Sequence, residues 1–111
     1  MNERWLLKSG DTLIGSIDVT GTDQPWFTGH FYPESGFAEF DDLFKRELAL
    51  VEGNLKDEIV HWEEVYGRIT TRLRLLKPNG TVVPEYLLHI RGDEAWFRFS
   101  DEPFERGTAT T

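Results

Sequence analysis

The chain contains three histidines, His30, His61 and His89, and each has different neighbours. His30 lies in DQPWFTGHFYP, from Asp23 to Pro33, among Trp26, Phe27, Phe31 and Tyr32. His61 lies among Asp57, Glu58, Glu63 and Glu64, which suits the surface of a helix. His89 lies in YLLHIR. An imidazole oriented by a carboxylate can act as a general base, so His30 or His89 with Asp18 or Glu85 would suit a small hydrolase or isomerase. No HExxH or His-x-His spacing joins the three, so the sequence specifies no metal site. Ser9, Ser16, Ser35 and Ser100 lack the setting of a nucleophile elbow. No Gly-rich segment leads from a strand into a helix with a lysine after it, so no phosphate loop and no cofactor is expected.

Arginines and aromatic rings make a second constellation. In an extended segment alternate side chains point to opposite faces. That parity puts Phe27 and Phe31 on the core side, with Trp26, Thr28, His30 and Tyr32 on the other. Reading 70–77, 82–91 and 94–100 as a three-stranded meander sets Thr70, His89 and Trp96 in one outward row. Arg72, Leu87 and Arg98 form the next. Two accounts fit. In one, Arg74 pairs with Glu85 and Arg91 with Glu94, as on any half-exposed sheet. In the other, Trp26, His30, Tyr32, Arg72, His89, Trp96 and Arg98 form an aromatic and cationic shelf for a small anionic or planar ligand, or for an acidic segment of a protein partner.

The elements that must position these residues follow from periodicity. Trp5–Lys8 and Thr12–Thr20 read as strands, and an odd-length loop with Gly10 near its end would set Trp5 and Leu7 on the Leu13 face. After Tyr32-Pro33 a helix capped by Ser35 carries Phe37, Phe40, Phe44, Leu48 and Val51 at helical spacing until Gly53. Asn54 caps a second helix with Leu55, Ile59, Trp62, Tyr66 and Ile69 as its stripe, which Gly67 is expected to break. Asn79-Gly80 and Gly92-Asp93 make the turns of the last meander, pairing Leu75 with Pro84, Leu73 with Tyr86 and Ile69 with Ile90. On the other side they pair Leu88 with Phe97 and Ile90 with Ala95.

Composition limits the rest. With 111 residues, 39% hydrophobic and 14% aromatic, the chain can bury one core. Residues 1–100 are read as one domain and 101–111 as a flexible tail. Twenty acidic against 12 basic residues give a net charge of -8, which disfavours nucleic acid and anionic membrane. The absence of cysteine excludes disulfides and thiolate chemistry. The MNERWLLKSG start lacks the apolar core of a signal peptide, so a cytoplasmic location is expected.

The run Asp23-Gln24-Pro25-Trp26 to Phe31, the Phe-rich helix and Glu85-Tyr86-Leu87-Leu88-His89-Ile90-Arg91-Gly92-Asp93 resemble a group of small bacterial proteins. The shared pattern is D-x-P-W-x-x-x-x-F followed by E-x-L-L-H-I-x-G-D. That resemblance covers nearly the whole chain and implies a stand-alone bacterial domain with no assigned activity and no catalytic residues to carry over.

These readings converge on an α+β domain, βββααβββ, with about six antiparallel strands and two helices packed on one face of the sheet. A small noncatalytic binding or regulatory module is the function that best suits an exposed aromatic face, with a homodimer through that face also compatible. Two alternatives come from other classes. One is an acidic, immunity-like or antitoxin-like protein working through Asp41, Asp42, Glu63 and Glu64; the other is the histidine-dependent enzyme described above.

Overall fold

The computed structural model describes residues 3–53 and 55–101, so the expected Asn54 cap and nearly all of the expected tail lie outside the described residues. β1 (Glu3–Ser9), β2 (Thr12–Asp23) and β3 (Trp26–Pro33) form a meander. A 3-10 turn (Ser35–Glu39) leads into α1 (Asp41–Glu52) and α2 (Leu55–Arg72), and β4 (Arg74–Leu76), β5 (Glu85–Arg91) and β6 (Glu94–Ser100) complete the chain. All pairings are antiparallel, in the order β4-β1-β2-β3-β6-β5. The architecture is therefore α+β with one six-stranded, curled antiparallel sheet.

Alternation sets the two faces. Trp5 opposes Ile17 and Ile17 opposes Phe31, while Phe27 opposes Phe97 and Phe97 opposes Leu88. Directly opposed residues share a face, and these line the concave side. Ile17, Phe31, Leu88 and Phe97 are each no more than 1% exposed. Phe40, Phe44, Tyr66 and Ile69 from the helical segment fill the hollow. Burying side chains of this size contributes about 1.5–3 kcal/mol each, which outweighs local propensity where the two conflict.

Three local expectations give way. The β1–β2 connection is a two-residue turn, because Ser9 opposes Thr12, and a register shift between Leu7 and Lys8 supplies the odd residue instead. Trp5 and Leu7 keep the expected face with Ile17 and Gly15, and only Leu13 leaves it, to stand opposite Lys8. Ser35 does not cap a helix: the residue preceding the 3-10 turn is Glu34 in extended conformation, and α1 begins at Asp41, with Asp41 and Asp42 in its first turn. Gly67 does not end α2. One glycine costs about 1 kcal/mol in a helix, less than the burial of Val65, Tyr66 and Ile69 on either side of it returns.

The long α2 has a topological consequence. Residues 70–72 are helical, β4 is short, and it pairs with β1 rather than β5. The expected pairs Leu75–Pro84, Leu73–Tyr86 and Ile69–Ile90 are thus not strand pairs. The segment that follows β4 folds back on it instead, through a bridge from Leu76 to Val82 and a bond from Val83 N to Leu75 O at 3.0 Å. The β5–β6 half of the meander matches the sequence reading, with Arg91 opposing Glu94 across Gly92-Asp93. Pro84, which cannot donate to a ladder, stands just before β5.

An unpaired edge of β5 would expose backbone groups. The Tyr66 hydroxyl occupies it, donating to Tyr86 O at 2.8 Å and accepting from Leu88 N at 2.9 Å. The Tyr86 hydroxyl in turn donates to Leu73 O at 2.8 Å. Gly29 marks a close approach between β3 and β2, since a Cβ there would lie 2.1 Å from Asp18 O.

Candidate functional site

The convex face of the sheet carries one transverse row across five strands. Arg4 opposes Asp18, Asp18 opposes His30, His30 opposes Glu94, and Glu94 opposes Arg91. Beside it on β3 run Trp26, Thr28 and Tyr32, two residues apart and therefore all outward. Thr28 opposes Trp96, which opposes His89. The rings of His30 and Tyr32 lie 4.4 Å apart. The His30 side chain is 44% exposed, and its Nε2 is 3.9 Å from Asp93 Oδ2.

Arg4 and Arg91 brace this face. Arg4 donates Nε and a terminal nitrogen to the two oxygens of Asp18 at 2.9 and 3.1 Å, with its guanidinium 5.3 Å from the centre of the Tyr32 ring. Arg91 is ion-paired with Glu52 of α1 and lies 5.7 Å from the Trp96 ring. Both guanidinium groups are committed to carboxylates of the chain itself.

His89 is different. It is 7% exposed, its Nδ1 is 2.9 Å from Glu47 Oε1, and the other carboxylate oxygen accepts from Trp62 Nε1 at 2.7 Å. Glu47 has no exposed surface. The indoles of Trp26 and Trp96 lie 5.7 and 5.4 Å from the His89 ring. One polar chain thus runs from α2 through α1 to β5 and ends between two tryptophans on β3 and β6.

The structure brings together Trp26, His30, Tyr32, His89 and Trp96 on one sheet face, as parity requires, and Arg98 opposes Leu87 beside them. Two of the expected placements need correction. Arg72 belongs to α2, not to a strand, where it is bonded to Glu39 and lies 4.7 Å from the Phe40 ring. His89 does not lie clear of the helices, because α1 wraps the β5 edge and Glu47 reaches it. Neither Asp18 nor Glu85 is the carboxylate that orients it. Glu47 went unnoticed in the sequence, although it stands three residues after Phe44 and four before Val51, on the apolar stripe where a carboxylate needs a partner.

His61 meets Glu58 at 2.6 Å on the helix surface, which raises its pKa through that hydrogen bond and charge. Among the described residues no group of three or more metal-ligating side chains forms, and no helix is long and apolar enough to cross a membrane. No family model, no curated protein and no solved structure matches the chain.

Proposed function

We propose that this protein is a small, noncatalytic binding or regulatory module of the cytoplasm, which engages its partner through the convex face around Trp26, His30, Tyr32 and Trp96. The observation that carries this reading is the outward row on β3, where the rings of His30 and Tyr32 lie tilted against each other and both reach solvent. Binding energy concentrates on aromatic residues braced by their surroundings, and the indoles here rest on a buried, hydrogen-bonded histidine.

The enzyme reading has one point in its favour, the Glu47–His89 dyad, which has the orienting carboxylate that a general base requires. Burial of His89 between two indoles counts against it, since a base must reach the proton it takes. The exposed His30 has the opposite character: it is reachable, but its nearest carboxylate is 3.9 Å away.

The test is a thermal-shift screen of anionic and planar metabolites and of acidic and basic peptides, repeated with His30→Ala and Tyr32→Ala. Loss of a ligand-dependent shift in these variants, with unchanged melting of the free protein, supports the reading. A shift that survives both but disappears in Asp42→Asn, Glu63→Gln, Glu64→Gln moves the working surface to the helices.

A further inference from the structure

Among the described residues, each cation held over an aromatic ring is also bonded to a carboxylate. Arg4 lies over Tyr32 and bonds Asp18; Arg91 lies over Trp96 and bonds Glu52. Arg72 lies over Phe40 and bonds Glu39, and Lys77 lies over Phe99 and meets Asp101 at 2.6 Å. The chemistry is the same each time. The ring offers its negative face, the carboxylate offsets the charge, and the cation keeps a partner on two sides.

Trp26 and Asp23 repeat two of these three parts. They oppose each other at the end of the β2–β3 hairpin, so their side chains leave the sheet on the same convex face. Asp23 is exposed and Trp26 is half-buried, with the His89 ring 5.7 Å from the indole. Among the described residues no cation lies over Trp26, and no ion pair reaches Asp23.

We propose that Trp26 and Asp23 receive an arginine or lysine side chain from a protein partner, which completes a fifth assembly of this kind. The inference rests on the convex face being the binding surface and names the chemistry that it takes. Charge favours a cationic partner over an anionic one. The chain carries -8, Arg4 and Arg91, the arginines of the transverse row, are bound to Asp18 and Glu52, and Arg98 on the same face is not free either.

The experiment is fluorescence anisotropy of labelled oligo-arginine and oligo-glutamate peptides with the full chain at physiological ionic strength. Oligo-arginine should bind, and Asp23→Asn and Trp26→Leu should each weaken it about fivefold. Asp42→Asn and Glu63→Gln on the helices should change it by less than about twofold, since screening limits distant charges. Circular dichroism of each variant verifies the fold. Equal weakening by all four substitutions would mean general attraction to an acidic chain and overturns the proposal. Weakening by His30→Ala and Tyr32→Ala but not by Asp23→Asn or Trp26→Leu overturns it while leaving the convex-face reading in place. Binding of oligo-glutamate alone overturns it as well, and binding of neither peptide removes the cationic partner altogether.

Discussion

Glu47 and His89 are 42 positions apart in the chain and 2.9 Å apart in the fold, and their contact joins helix α1 to the outer side of β5. The carboxylate is fully buried and takes donors from both His89 and Trp62. A buried charge with one partner removed is far more costly than the net worth of the pair.

Glu47→Ala should therefore destabilise the protein by about 3–5 kcal/mol, and Glu47→Gln, which keeps an acceptor, by about 1–3 kcal/mol. Urea denaturation of both variants checks the order. A double-mutant cycle with His89→Ala should show a coupling above about 0.5 kcal/mol. Additive effects would mean that the two residues do not form a unit.

Phe44→Ala should be much more damaging than Trp26→Ala. Phe44 is 1% exposed at the centre of the core, and its loss should cost about 3–5 kcal/mol. Trp26 sits half-buried on the convex face, where its ring contact with His89 is worth about 0.5–1.5 kcal/mol. Equal denaturation midpoints would contradict the assignment of faces.

Two glycines should respond in opposite ways to alanine. Beyond Gly67 there is open space within 4 Å, so Gly67→Ala should stabilise α2 by about 0.5–1 kcal/mol. At Gly29 the new methyl would lie 2.1 Å from a backbone oxygen, so Gly29→Ala must push β3 from β2 and lower the melting temperature. Melting curves recorded side by side decide both signs.

Alkaline pH should unfold the protein through its buried phenols. Burial raises the pKa of Tyr66, with Tyr86 adding to it, and burial followed by Glu85 raises that of Tyr86, both above the ordinary value of 10.0. The folded state therefore holds these protons more tightly than the unfolded state. Their contribution is fully present below about pH 10 and declines as pH rises beyond it. Tyrosinate absorbance for these two should appear together with loss of circular dichroism, and Tyr66→Phe, which leaves Tyr86 O and Leu88 N unpaired, should lower the unfolding free energy measured in urea by about 1–3 kcal/mol. Ionisation of both residues with the fold intact would refute their role in sealing β5.

Much of the architecture is written in local pattern. Alternation along residues 26–32 and 85–100 assigns the faces of β3, β5 and β6, and the Gly92-Asp93 turn fixes one register, because strand period and turn length are properties of neighbouring residues. The aromatic stripe through Phe40, Phe44 and Leu48 likewise places α1 on the core. What tertiary structure decided is every question whose answer lies far away in sequence. Gly67 lies within a helix because buried neighbours outweigh its propensity, and that carries Arg72 off the sheet. β4 pairs with β1 because the lengthened helix returns the chain to the far edge. His89 meets Glu47 because α1 wraps an edge that must be covered, and no spacing encodes that meeting. Periodicity is a short-range signal, whereas edge closure and the pairing of buried charges are settled by the free energy of the whole core.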